Sequence, residues 1–340
     1  MCNELSKIFL MSNTVESVPW FKREREVLKN NLNHHAYLFE GAKGIGKAIF
    51  GLEFAKGFLC NALPNSKLCN KCQSCHLFDE LNHPDFYLVE PEVDKKLISI
   101  NQIRELQEPL YESSFLGSNK VFIVNPLEKM TKEAFNSFLK NLEEPPDHVI
   151  FILICHRYQS LPLTIKSRCI QLKMSQPDKG QIRSWLTNQT DQKSKIETAL
   201  LLSKGKPFVA AEMVNLKIDD LRLNFIKDIS ELIKTGSNLH EVSESWSRDD
   251  TSMLLKIEWM SDLLMDCLRH KFLPGNKLTF QDTNPITTYL SQKIETEKFF
   301  SLLEKTNSFW NLFNSDTNLR ADYQLRALLV EWSESVGLSR

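Results

Sequence analysis

The 340-residue sequence has no excess of either charge: 42 Lys and Arg stand against 43 Asp and Glu, for a net charge of -1. That removes the bulk basic surface that draws a whole chain to nucleic acid and leaves only a local patch open. Long hydrophobic runs are missing too. The longest unbroken one, Val149 to Cys155, is far short of the roughly 20 residues a bilayer-spanning helix needs. The first residues include Glu4 and have no charged-then-apolar layout, so no secretory leader is expected and the expected compartment is the cytoplasm. No low-complexity tract or internal repeat is evident. With 42% hydrophobic and 25% charged residues, the composition is that of a globular chain of roughly two to three domains.

Cysteine is scarce except in one place. Of the eight, Cys60, Cys69, Cys72 and Cys75 cluster, while Cys2, Cys155, Cys169 and Cys267 are scattered. A secreted disulfide scaffold is shorter and spreads its cysteines more evenly. The spacing C-x8-C-x2-C-x2-C lets neighbouring thiolates turn onto one ion, and four sulfurs close a tetrahedron. The expected occupant is a structural Zn²⁺ with no open position. Substitution of one ligand by His76 or His83, or four free thiols, are the competing readings.

Between residues 36 and 175 short apolar runs alternate with helical patterns. Candidate strands are Ala36–Glu40, Asp85–Glu90, Lys120–Asn125, Val149–Cys155 and Cys169–Lys173. The middle ones are apolar on both faces, as strands of a covered parallel sheet are. Ala134, Phe135, Phe138, Leu139 and Leu142 form a helical stripe that Thr131 can cap and that must end before Pro145-Pro146. Ser99-x-x-Gln102 fits a capping box ahead of Ile103 and Leu106. The alternation predicts a three-layer α/β domain. After about residue 176 the chain reads as helical. Pro177 and Gly205-Lys206-Pro207 bracket a small unit. Three later stripes follow: Met253, Ile257, Met260, Leu264 and Cys267; then Phe299, Leu302, Leu303, Thr306, Trp310 and Phe313; then Leu325, Leu328, Leu329 and Trp332.

Directly after the first strand comes Gly41-Ala-Lys-Gly-Ile-Gly-Lys47, a G-x-x-x-x-G-K loop followed by a helical pattern. Such a loop turns backbone N–H groups onto phosphate oxygens at a helix N-terminus, and its lysine neutralises the terminal phosphates. The metal half of the site is missing. The position after the lysine, where a hydroxyl would hold Mg²⁺, is Ala48. The strand Val121-Phe-Ile-Val124 ends in Asn125-Pro126 rather than in a carboxylate. Glu128 is the nearest carboxylate, read here as a solvated helix-cap residue. Nucleotide binding stays open; hydrolysis does not fit. His34 and His35 have no carboxylate near them in sequence, which speaks against a metal or acid–base role.

His34-His35-Ala-Tyr-Leu, the loop at 41–47, the cysteine quartet, His83-Pro84-Asp85, Leu142-Glu-Glu-Pro-Pro146 and Ser167-Arg168-Cys169 occur in that order. Trp259-Met-Ser-Asp-Leu-Leu-Met-Asp266 and Asn318…Leu328-Leu329 follow. With these motifs the chain resembles the delta-prime family of bacterial DNA polymerase III clamp-loader subunits, within the AAA+ class. The resemblance implies a P-loop AAA+ domain over 1–175 with an inserted zinc module at about 60–83, a helical lid over 176–212, and an all-α collar over 213–340 through which five subunits assemble. It implies partners: the delta and ATPase subunits, and through the complex the sliding clamp and primed DNA. It implies no ATPase activity of the chain's own and a place in the polymerase holoenzyme by membership alone. It also implies that Arg168 acts as an arginine finger at a neighbour's ATP, with Ser167 orienting the turn and Cys169 packing as a small apolar residue.

The motor subunits of that class are the nearest alternative. They would keep Ser or Thr after the lysine, an acidic pair after the second apolar strand and an arginine in the lid. Here those positions are Ala48, Asn125-Pro126 and Phe208, and the polar residue expected at the end of the Val149–Ile154 strand is Cys155. Gly41, Gly44, Gly46 and Lys47 remain as a degenerate nucleotide loop. An autonomous P-loop ATPase is a further alternative. A zinc-dependent DNA reader would need more basic residues around the cysteines than Lys67 and Lys71.

Overall fold

The computed structural model describes residues 18–62, 68–92, 95–117, 119–190, 193–215, 218–235, 239–273, 275, 278–314 and 321–335. Glu4, Cys2, Lys67 and Asn318 lie outside the described residues. The chain divides into two compact units, Met1–Val214 and Asn215–Arg340.

The first unit opens with α1 (Lys22–Lys29), β1 (Ala36–Glu40), α2 (Lys47–Leu59), α3 (Gln73–Asp79) and β2 (Phe86–Val89). It continues with α4 (Ile100–Glu105), α5 (Gln107–Tyr111), β3 (Lys120–Val124), α6 (Lys132–Glu143), β4 (Val149–Cys155), α7 (Leu163–Lys166) and β5 (Ile170–Lys173). Three helices close it: α8 (Lys179–Gln189), α9 (Lys193–Leu202) and α10 (Pro207–Asn215). The five strands form one sheet in the order β2-β3-β4-β1-β5, every pair parallel. Successive side chains point to opposite faces. Tyr37, Phe39, Ile152 and Ile154 therefore enter one core with Phe50 and Leu52 of α2. Leu38, Phe122, Phe151 and Leu153 enter the other with Ile103 of α4 and Phe138 of α6. Both faces are covered, which is why β4 is buried at all seven positions and reads as one apolar run.

Helix ends follow the local chemistry anticipated for them. Ser99 and Gln102 form the complete capping box at α4, and Thr131 accepts from the Ala134 N–H at α6. Strand ends are shorter than expected: Asp85, Glu90, Asn125 and Cys169 fall just outside β2, β3 and β5. Parallel crossing brings the strand carboxyl ends together, Glu40 of β1 opposite Cys155 of β4. The loops after β1, β3 and β4 thus share one edge of the sheet, where parallel α/β sheets place their sites.

The second unit is entirely helical among its described residues: α11 (Ile218–Thr235), α12 (Leu239–Trp246), α13 (Asp250–Phe272), α14 (Asn284–Lys293), α15 (Thr296–Asn314) and α16 (Ala321–Ser335). The stripe from Met253 to Cys267 on α13 is fully buried, as are Leu325, Leu329 and Trp332 on α16. The α15 stripe is corrected at one position. Its buried row runs through Phe299, Leu302, Thr306 and Phe309, and Trp310 is exposed. At 100° per residue both 309 and 310 lie near the row, and the smaller ring is the one enclosed. A three-layer α/β domain with a parallel five-stranded sheet and a glycine-rich loop after β1, followed by short helices and an all-α unit, is thus the observed fold class. Among the described residues no helix is long and apolar enough to cross a membrane.

Candidate functional site

The loop leaving β1 is held in a phosphate-cradle shape by glycine. Gly46, with φ +97°, caps the start of α2. A Cβ there would sit 2.5 Å from the Phe208 ring, so the position has neither the backbone freedom nor the room for another residue. Lys47 begins α2 and is 2% exposed. Its ammonium donates to the carbonyls of Gly41 and Ala42, 2.6 Å each. Burial pushes this amine down to about 8, against the opposing pull of the Glu128 charge.

The two positions that should hold a metal do other work. Ala48 packs against the core. Asn125 is buried, and its amide donates to Glu90 Oε1 at 2.9 Å. That ties it toward β2, the far side of β3 from the loop. Glu128 is not a solvated cap. Both its carboxylate oxygens accept the His156 backbone N–H, at 3.1 and 3.2 Å, fastening the turn after β3 to the end of β4. Cys155 is buried and its thiol is pushed up to about 12 by that burial. His156 is driven down to about 3 by burial and then by Lys47 and Lys43, so its ring is neutral at ordinary pH.

Aromatic side chains cover the loop. Trp20 Nε1 donates to the Ile45 carbonyl at 2.9 Å, and the Phe208 N–H donates to the Gly44 carbonyl at 3.1 Å. Trp185 stands between them, its ring 5.5 Å from Trp20 and 5.0 Å from Phe208. Phe208 is legible in the sequence as the residue in place of a lid arginine. Trp20 and Trp185 carried no local signal, because their role depends on packing between segments far apart in sequence.

The cysteines converge. One Sγ from each of Cys60, Cys69, Cys72 and Cys75 lies within 4.8 Å of the others, with Cys60–Cys72 at 4.0 Å and Cys69–Cys75 at 3.8 Å. A tetrahedron with metal–sulfur bonds of about 2.3 Å has edges of about 3.8 Å. The four sulfurs fit such an ion. Cys60 comes from the end of α2, while Cys72 caps α3 and Cys75 sits in its first turn. Backbone N–H groups of Lys71 and Cys72 point at Cys69 Sγ, and that of Cys75 at Cys72 Sγ. These contacts favour thiolates, as donors to an anion do. Lys56 braces the module by pairing with Asp79 and Asn70. The alternative histidines are outside the set: His83 bonds Ser74 Oγ at 2.8 Å, and His76 is exposed.

Arg168 lies in the turn between α7 and β5, two residues ahead of the strand rather than at its start. Its Nη2 is 2.7 Å from Glu143 Oε1. Ser167 Oγ donates to the Thr164 carbonyl at 3.1 Å and so closes the turn. Cys169 packs against the core, its thiol pushed up to about 12 by burial. His34 and His35 stack at 4.7 Å. Their ring nitrogens contact Ala36 and the Leu142 carbonyl, which is a structural role.

Two family profiles match the chain: one described as "DNA polymerase III, delta subunit" over residues 20–178, the other as "DNA polymerase III, delta subunit, C terminal" over 218–334. The DNA polymerase III subunit delta' of Buchnera aphidicola (from Acyrthosiphon pisum) is 30% identical over 269 residues, covering 79% of this chain and 78% of its own. The chain belongs to the delta-prime family. The Pseudomonas aeruginosa delta' subunit is 29% identical over 323 residues, covering 94% of this chain and 98% of its own. A DNA polymerase III subunit tau/gamma from Haemophilus influenzae matches at 34% over 161 residues, 47% of this chain and 23% of its own.

In this delta-prime chain Lys47 already has two oxygen partners and lies in a site that penalises its charge. Its folded pKa is below the unfolded one, so between the two values the unfolded state holds the extra proton and stability rises with pH. Relative to Lys47→Met, the wild type is expected to gain about 2 kcal/mol in urea melts between about pH 7.5 and 9.5. A pH-independent difference would show that the amine is not penalised.

Proposed function

We propose that this chain is a non-hydrolysing subunit of the bacterial clamp loader, acting in the cytoplasm. It assists ATP-driven loading of the sliding clamp onto primed DNA and supplies Arg168 to a neighbouring ATPase subunit. The observation that carries the reading is the state of the P-loop. Lys47 is bound to the loop's own carbonyls, with Ala48 and a Glu90-tied Asn125 where metal ligands belong. Hydrolysis needs Mg²⁺ bridging the phosphates and a carboxylate organising the metal or the water. Neither ligand position provides one.

The segments then divide the labour. Residues 1–175 form the P-loop domain, 176–212 the lid whose Phe208 covers the loop, and 213–340 the collar that joins delta and the ATPase subunits. Cys60, Cys69, Cys72 and Cys75 hold a structural Zn²⁺, which supplies a cross-link between α2 and α3 and no chemistry. Arg168 suits a trans role because guanidinium stays charged, is planar and donates two hydrogen bonds at once to phosphoryl oxygens. The intact G-x-x-x-x-G-K pattern favours the second reading, a motor subunit or autonomous ATPase.

Two experiments test the proposal. The isolated chain with ATP and Mg²⁺ should release no phosphate above background, whereas a steady rate on the order of 1 s⁻¹ would support the second reading. In a reconstituted loader Arg168→Ala should assemble normally yet lose hydrolysis at one site, by about 10³-fold there. Unchanged ATPase and clamp loading would make Arg168 a surface charge. Separately, metal analysis of chelator-free protein should find about one zinc per chain; a folded, metal-free protein would contradict the assignment of the cysteines.

A further inference from the structure

The Ser167-Arg168-Cys169 turn is anchored at the head of its arginine. Arg168 Nη2 meets Glu143 Oε1 at 2.7 Å, and Nη1 donates to the Thr164 carbonyl at 2.8 Å. Glu143 is the last residue of α6 and belongs to Leu142-Glu-Glu-Pro-Pro146. That helix end cannot drift. Leu142 is buried beside it, and the His35 ring contacts the Leu142 carbonyl at 3.2 Å. Thr164 is equally fixed, because the adjacent Ile165 is fully buried. The guanidinium is therefore held between two elements that are themselves locked to the sheet. It is not used up by this. Arg168 keeps 32% of its side-chain surface open, and a guanidinium has five N–H donors, more than these contacts consume.

We infer that Glu143 is a positioning residue for Arg168, setting the guanidinium in place before a neighbouring subunit's phosphates arrive. The inference rests on the trans role proposed for Arg168. An unrestrained arginine samples many rotamers, and ordering it during the reaction slows the step it serves. Holding it beforehand from α6 removes that delay, in the way supporting residues fix reactive groups elsewhere. The relevant property of Glu143 is an acceptor oxygen at the right place. Glutamine keeps that oxygen and loses the charge; alanine loses both. If the carboxylate acted instead as a brake by neutralising Arg168, both replacements would accelerate hydrolysis.

The test uses the reconstituted loader carrying wild-type chain, Glu143→Ala, Glu143→Gln, Arg168→Ala or the Glu143→Ala/Arg168→Ala pair. ATP hydrolysis is measured with clamp and primed DNA, and assembly is checked by gel filtration. The Arg168-dependent rate is the wild-type kcat less that of Arg168→Ala. Glu143→Ala should lower it about two- to fivefold, the range a half-exposed ion pair supports, with KM for ATP unchanged. Glu143→Gln should restore it, and Glu143→Ala should add nothing in the Arg168→Ala background. If Glu143→Ala does not assemble, Glu143→Thr, too short to reach the guanidinium, replaces it with the same expectation. A wild-type rate for Glu143→Ala beside an impaired Arg168→Ala would overturn the positioning role and leave the finger standing. Faster hydrolysis in both the Ala and Gln variants would overturn it in favour of a brake. A wild-type rate for Arg168→Ala would instead defeat the trans role itself.

Discussion

The pairing of β1 with β4, from Ala36 opposite Phe151 to Glu40 opposite Cys155, is the contact on which the site depends. It places the P-loop, which leaves β1, beside the residues that leave β4. Because β3 pairs with β4 on its other edge, the turn after β3 joins the same corner. The pairing holds because both faces of β4 are enclosed, by Phe50 and its neighbours on one side and by Phe138 and its neighbours on the other. Parallel strands buried on two faces have nowhere else to go.

Within that corner the polar and charged groups are taken up by partners from the chain itself rather than presented to a metal. Lys47 is desolvated but has two carbonyl partners and the Glu128 charge nearby. Glu128 is in turn held by the His156 N–H, and His156 stays uncharged beside two lysines. A divalent ion would need carboxylate or hydroxyl ligands in an open arrangement. Ala48 has no ligand atom and Asn125 is bonded to Glu90. The aromatic side chains of Trp20, Trp185 and Phe208 cover the loop, with the Trp20 ring N–H on the Ile45 carbonyl and the Phe208 backbone N–H on the Gly44 carbonyl.

What could be read from the sequence was whatever is encoded locally. The G-x-x-x-x-G-K loop, the capping box at Ser99, the Thr131 cap, the quartet of cysteines and the apolar run of β4 each depend on spacing within a short window. The structure reproduces each of them. The departures are long-range. Glu128 reads locally as a cap residue, yet its partner is 28 residues away. Trp20 and Trp185 are brought together only by folding, as are Glu143 and Arg168. Trp310 and Phe309 show the limit from the other direction. Helical periodicity locates a face, and packing against a particular neighbour decides which ring it encloses.

The P-loop is already satisfied by its own chain, with Lys47 on the Gly41 and Ala42 carbonyls. The direct measurement is an equilibrium titration of the isolated subunit with a fluorescent ATP analogue and Mg²⁺, followed by anisotropy. The account predicts no saturable binding up to about 1 mM, the weak end of the affinity scale. Saturable binding with Kd on the order of 1 μM, displaced by unlabelled ATP, would contradict it.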